Sequence, residues 1–174
     1  MQNKFSDRFI KEILQKYKVI AVIGCSREPG KDAHIVPAYL QKHGYNIVPI
    51  NPFAKQILGR TAYPTVLNLP KELAEKTEII EVFRPRQEAE FFVDQAIEFK
   101  DKIKENKLKV IWLQEGIFLA EGEYKTEERA ERSGLILIQN KCMMREHGRL
   151  FHDKSKEEVL NEGIKIAQKS NFSG

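Results

Sequence analysis

The chain has 174 residues, 41% of them apolar and 31% charged, the composition of a globular protein and the size of one domain. No apolar run approaches the roughly 20 residues that cross a bilayer, and two cysteines are too few for a disulfide framework, which points to a reducing, cytoplasmic setting. A net charge of +4, with Lys and Arg interspersed among Asp and Glu, gives no basic stripe for nucleic acid.

The opening stretch MQNKFSDRFIKEILQKY reads as a helix over residues 6–17, with Phe9, Ile10, Ile13, Leu14 and Tyr17 on one side, and not as a signal peptide or anchor. Residues 18–25 (KVIAVIGC) form a continuous β-branched run, as expected of a strand buried on both faces. A loop rich in Ser, Pro and Gly follows. The next helix runs through Tyr39 and Leu40 to a stop at His43-Gly44, with Pro37 expected in its first turn. Residues 45–50 (YNIVPI) are the second strand, residues 53–70 are irregular, and residues 77–84 (TEIIEVFR) are the third strand. A strong helix then carries Ala89, Phe92, Val93, Ala96, Ile97 and Ile103 at 3- and 4-residue steps. Phe91 and Phe99 lie off that stripe and are read as exposed candidates for self-association into a homo-oligomer, or as packed residues.

Residues 109–114 (KVIWLQ) are the fourth strand, residues 123–133 a charged helix stopped by Gly134, and residues 135–139 (LILIQ) the fifth strand. The last helix opens with a capping box, Ser155 and Glu158, and carries Leu160, Ile164 and Ala167. Strand–helix alternation of this kind predicts an α/β, Rossmann-like three-layer fold with a five-stranded parallel sheet. Extra helices stand at both termini of a core over residues 17–150, and residues 1–174 are read as a single domain.

Ligands of open parallel sheets bind beyond the carboxyl ends of the strands, where the strand order reverses. The residues there are Gly24 to Lys31, Asn51-Pro52, Phe83-Arg84-Pro85, Gln114-Glu115-Gly116 and Asn140-Lys141-Cys142. Gly24 permits a tight turn, but Ser26 replaces the second glycine of the dinucleotide pattern G-x-G-x-x-G, and the second strand ends in Pro49-Ile50-Asn51-Pro52 without the acid that grips an NAD ribose. A phosphate-binding P-loop fails as well: Gly24 and Gly30-Lys31 are one residue too far apart, and Asp32 replaces the magnesium-binding Ser or Thr. An anionic ligand without either signature remains.

The run VIAVIGCSREPGKDAHIVPAYLQKHGYNIVPINPFAKQILGRTAYPTV, with IIEVFRPRQEA, VIWLQEGI and KCMMREHGRL after it, resembles the CoA-binding domain family. These are small stand-alone proteins similar to the N-terminal CoA-binding domain of succinyl-CoA synthetase alpha subunits. The resemblance spans residues 17–150 and implies coenzyme A, free or acylated, as ligand. It implies that Gly24, Cys25, Ser26 and Arg27 receive phosphate or pantetheine through backbone amides and the Ser26 hydroxyl, with Lys31 adding charge. Pro49, Asn51 and Pro52 would shape the wall beside the adenosine and Lys55 reach its 3′-phosphate. Val82 and Phe83 would supply an apolar face, Arg84 a cation, and Gln114, Glu115 and Gly116 a frame for the pantetheine. Taken singly, Lys31, Lys55 and Arg84 also read as solvated charges, Pro49 and Pro52 as strand terminators, and Phe83 as core.

Cys25 departs from the uncharged non-thiol residue many relatives carry. Cys25 and Cys142 both fall at the ligand end, where either thiol can exchange with CoA disulfide. Cys142, His147 and His152, with Glu146 beside them, lack the tighter pairs and fourth ligand that zinc prefers. A Cys142–His147 nucleophile pair lacks a third orienting group. The synthetases draw their catalysis from further domains, so the resemblance implies a binder without turnover: a carrier, sensor or subunit. The rival readings are an NAD(P)-dependent oxidoreductase, a small acyl-CoA-handling enzyme, and a degenerate domain serving as an interaction subunit.

Overall fold

The computed structural model describes residues 4–122 and 124–170; Glu123, the first residue of the predicted 123–133 helix, lies outside them. The chain opens with helix α1 (Asp7–Lys16), whose cap is Ser6 accepting the Phe9 amide at 3.2 Å. Strand β1 (Val19–Ile23) leads to α2 (Asp32–Lys42), β2 (Asn46–Ile50) and a small hairpin of β3 (Gln56–Ile57) and β4 (Arg60–Thr61). Then come α3 (Lys71–Lys76), β5 (Ile79–Val82), α4 (Ala89–Lys102), β6 (Val110–Leu113), α5 (Tyr124–Arg132), β7 (Ile136–Ile138), α6 (Met143–His152) and α7 (Lys156–Ser170).

The sheet is wholly parallel, in the order β2-β1-β5-β6-β7. Its order reverses between β1 and β5, so their carboxyl ends flank a crevice. Strand alternation divides the core. Ile20, Val22, Ile47, Ile79, Val110 and Trp112 face one layer with α1, α2, α6 and α7. Ala21, Ile23, Val48, Ile80, Val82, Ile111 and Leu113 face the other with α3, α4 and α5. The five predicted strands and both terminal helices are in place, and the α7 capping box closes through Glu158 Oε2 on the Ser155 amide at 2.8 Å.

Of the two phenylalanines off the α4 stripe, Phe99 is fully buried in the second core, the packed alternative, and Phe91 is exposed. Residues 53–70 hold the β3–β4 hairpin, and α3 and α6 are helices that hydrophobic periodicity did not reveal. Pro37 sits in the interior of α2, not its first turn. A proline there has no N–H for the carbonyl four residues earlier, that of Ala33. The Ser26 amide takes that carbonyl instead, at 3.0 Å, so the proline releases an acceptor that ties the loop after β1 to the helix.

The same loop is pinned at Gly24. Its φ is +80°, and a Cβ there would stand 2.5 Å from the Phe83 carbonyl oxygen, where β5 ends. Only glycine fits both the turn and the contact. Gly24→Ala is therefore expected to cost roughly 2 kcal/mol or more of stability, read from the urea midpoint. An unchanged midpoint would show that the loop can move off β5.

Candidate functional site

At the crevice the loop after β1 is fastened from three sides. The Gly24 amide donates to Ile50 O at 3.1 Å, the Cys25 amide to Val22 O at 3.4 Å, and Asn51 Nδ2 to Cys25 O at 2.9 Å. Ser26 Oγ accepts the Glu28 amide at 3.0 Å, and His34 Nδ1 lies 2.7 Å from Ser26 O. The expectation that Gly24, Cys25 and Ser26 offer their amides to phosphate is thus corrected, because all three point into the protein. The donor end that remains is the start of α2, where Lys31 is N-cap but contributes no side-chain cap bond. Arg27, Lys31 and Lys55 are exposed, and Lys31 is paired with Glu28 at 2.8 Å.

Asn51 also accepts the Phe53 amide at 2.8 Å, so one side chain joins the loops after β1 and β2. Pro52 is exposed beside it, whereas Pro49 is buried within β2 opposite Val22. Val82 is fully buried in the second core and supplies no open apolar face; Phe83, half-buried, does. Arg84 is exposed and forked onto Glu88, with both N–O distances 3.0 Å. After β6, Gln114 is buried, Glu115 pairs with Arg145, and the Gly116 amide donates to Asn140 Oδ1 at 2.7 Å.

These ends enclose a cavity of about 280 Å³. Phe83, Arg84, Gln114, Glu115 and Cys142 line it, with Asp32, Ala33 and Val36 of α2, Met144 and Arg145 of α6, Leu160 of α7 and Ile117. Gly24, Ser26, Asn51 and Lys55 stand outside it, on the loops along the same edge. A larger depression, about 1070 Å³, lies along α2 and α7 and receives no strand-end loop, so it is not placed for the chemistry of this edge.

Asp32, Ala33, Val36, Ile117, Met144, Arg145 and Leu160 line the cavity without having been assigned to it from the sequence, and neither was Glu81, which accepts from Gln114. Arg145 gave no signal, since α6 was not recognised. Glu81 did give one: an acid inside a run that otherwise reads as buried on both faces. It is fully buried, hydrogen-bonds Gln114, and has an Oε2 without a partner among the described residues. Burial pushes its carboxyl up to about 8.

Burial, aided by the Glu81 charge, also raises the Cys25 thiol to about 12, and burial raises Cys142 to about 11. Both therefore stay protonated and are poor nucleophiles for disulfide exchange. His147 is 3.0 Å from the Tyr39 hydroxyl and stacks on Phe151 at 4.9 Å. Burial, with His43 and His152 close by, lowers it to about 4. Among the described residues no three His, Cys, Asp or Glu side chains are grouped to hold a metal ion.

Glu81 makes stability depend on pH in an unusual sense. Between the ordinary carboxyl value of 4.5 and about 8, the unfolded chain has lost this proton and the folded chain keeps it. The folded state then binds more protons, so its stability falls as pH rises through that window. Gln at this position does not titrate. The stability of Glu81→Gln relative to the parent is expected to improve by about 1–3 kcal/mol between pH ~5 and pH ~9, by denaturant titration. A gap that stays constant would mean that Glu81 is ionised throughout.

Residues 18–148 match the family model described as a CoA binding domain. Protein YneT of Bacillus subtilis (strain 168) is 31% identical over 147 residues, 84% of this chain and 97% of that protein. ADP-forming acetate–CoA ligase I of Archaeoglobus fulgidus is 30% identical over 129 residues, 72% of this chain and 18% of the ligase. A hypothetical protein from Pyrococcus horikoshii OT3 superposes with a TM-score of 0.72 at 38% identity, covering 86% of this chain and 94% of that one. With the crevice between β1 and β5 inside the matched span, the chain belongs to the CoA-binding domain family.

Proposed function

We propose that the protein binds coenzyme A or an acyl-CoA across the carboxyl edge of its sheet, without turnover of its own, as a carrier, sensor or subunit. The observation that carries this reading is the cavity at the reversal of strand order, walled by Phe83 and Gln114 and rimmed by two guanidinium groups. The diphosphate lies toward the start of α2, where the helix dipole and Arg27, Lys31 and Arg84 favour negative charge. The loop of Asn51, Pro52 and Lys55 borders the adenosine, with Lys55 for the 3′-phosphate. The pantetheine runs past Gly116 and Glu115 into the cavity, toward Gln114 and Cys142. Bound CoA supplies the thiol or thioester, and this chain positions it.

The free protein's ion pairs do not stand in the way. Arg84–Glu88 is substantially exposed, and pairs of that kind are worth about 0.2–1 kcal/mol, whereas a charge-assisted bond to phosphate is worth about 1.5–3 kcal/mol. Absence of turnover is supported by the protonated Cys142 and by His147 being engaged with Tyr39. An oxidoreductase reading is disfavoured by Asn51, whose amide and carbonyl are both spent on loop backbone. No helix among the described residues is long and apolar enough to cross a membrane. A single working unit in a reducing cytoplasm suits the two free thiols.

Calorimetric titration with CoA, acetyl-CoA, NAD and NADP tests the reading, with heat expected from the CoA compounds alone. Heat from nicotinamide nucleotides alone would restore the oxidoreductase, and silence with all four would favour an interaction subunit. Arg84→Ala is expected to weaken CoA by about 1–3 kcal/mol, and an unchanged affinity would remove Arg84 from the site. Thiol alkylation gives a second check. Cys142 is expected to react before the fully buried Cys25, and saturating CoA to slow it; equal rates with and without CoA would place the pantetheine elsewhere.

A further inference from the structure

We propose that Glu81 and Gln114 form a proton-controlled selector at the cavity, which decides whether the pocket offers a hydrogen-bond acceptor or a donor to the sulfur end of its ligand. The proposal rests on the CoA reading above and names which chemical form of the ligand the site prefers.

Glu81 lies on β5 in the face that carries Val22 and Trp112, which flank it in register on β1 and β6. Neither neighbour can satisfy it, since Val22 is apolar and the Trp112 indole N–H donates to Lys141 O at 2.7 Å. Gln114 follows β6, lines the cavity, and gives its Nε2–H to Glu81 Oε1. The other carboxyl oxygen, Oε2, has no partner among the described residues. A buried acid with one amide neighbour and an idle oxygen costs stability, and such a group calls for a role.

No cation among the described residues is bonded to Glu81. The loop after β1 brings the Cys25 thiol, and the start of α6 brings Cys142 and Arg145, whose Nη1 is on Glu115 while its buried Nε has no partner among the described residues. From α2 come Asp32 at the cavity rim and apolar Val36, from α7 apolar Leu160, and Arg84 is paired with Glu88. The proton is therefore the means by which Glu81 sheds its charge, and burial holds it on up to about 8.

The protonation state dictates what Gln114 presents. An ionised carboxylate only accepts, so it holds the Gln114 N–H inward and leaves the amide oxygen toward the cavity, an acceptor for a thiol S–H. A protonated carboxyl still accepts through its carbonyl oxygen, but its buried O–H is costly unpaired, and Gln114 is the side chain in bonding contact with it. Donating that O–H to the amide oxygen turns the amide over, so that its N–H faces the cavity, a donor for a thioester carbonyl. The two orientations have the same shape and differ by rotation about a broad terminal torsion. The orientation in the structure, with the Gln114 N–H on Glu81 Oε1, is the one an ionised Glu81 holds; below about pH 8 the proton on Glu81 favours the turned, thioester-preferring one.

Acetyl-CoA and S-ethyl-CoA differ by one carbonyl next to sulfur, and their affinities measured side by side test the selector. At pH ~6.5 the protein is expected to prefer the thioester by roughly five- to tenfold, the worth of one hydrogen bond, and to lose that preference by pH ~9. Glu81→Gln is expected to show the same ratio at both pH values. A parent ratio that does not move with pH, or a variant that follows the parent, overturns the selector alone. Failure of both compounds to bind overturns the CoA reading beneath it. A separate readout is the carboxyl carbon resonance that Glu81→Gln removes from the NMR spectrum. It is expected to titrate in the same interval, and a resonance already ionised at pH ~6 overturns the proposal without any ligand present.

Discussion

Everything at the ligand edge hangs on the backbone contact between Gly24 and Phe83. A strand that must pass its loop against the end of its neighbour can do so only if no Cβ intervenes. That contact sets the depth of the crevice between β1 and β5. The rest of the loop is then fixed by bonds that use up the amides of Gly24, Cys25 and Ser26, on Ile50, Val22 and the Ala33 carbonyl that Pro37 leaves open, and by the Asn51 amide, which donates to Cys25 O. With the amides of Gly24, Cys25 and Ser26 spent on rigidity, anion binding passes to the helix start and to side chains.

Those side chains come with their own counter-ions. Lys31 is held by Glu28, Arg84 by Glu88 and Arg145 by Glu115, each acid close to its cation and each pair at the same edge. These three pairs are each neutral, which removes the repulsion that bare guanidinium groups would feel across the crevice. An anionic ligand binds by exchange, replacing a screened carboxylate with a phosphate that brings more acceptor oxygens to the same fork.

The strands were legible because burial on both faces leaves continuous β-branched runs such as VIAVI and IIEV, and the terminal helices because their caps and stripes are local. The helix α6 was not, since its MMREHG start mixes bulky, charged and small residues in the pattern needed where it crosses α7: a Cβ on Gly148 would stand 2.2 Å from Val159 Cγ2. Pro37 was misplaced and Phe99 left open for a related reason, as both are settled by partners distant in sequence, Ser26 for one and the second core for the other. Topology was enough to place the site, because strand ends are strand ends whatever the loops do. It was not enough to say which loop atoms are free, and so the amides of residues 24–26 and the side chain of Val82 were assigned to a ligand although the amides are bonded to carbonyls of the chain and Val82 is buried.

The extra terminal helices bear on the chemistry as well as on stability. The ion pair of Arg149 with Asp7, at 2.7 and 2.8 Å, fastens α1 to α6, and α7 packs against α2 and α6 on the same face of the sheet. That is the face onto which Glu81 projects, between Val22 and Trp112. A single layer of helix over a sheet leaves water a route to a carboxyl near a strand end, and a solvated Glu81 would ionise like any other. With α6 and α7 closed over it, and with Leu160 and Met144 at the cavity wall, the carboxyl is dry enough to keep its proton near neutrality. The helices that lie at the margin of the family's domain are thus the ones that turn a strand residue into a titratable part of the pocket.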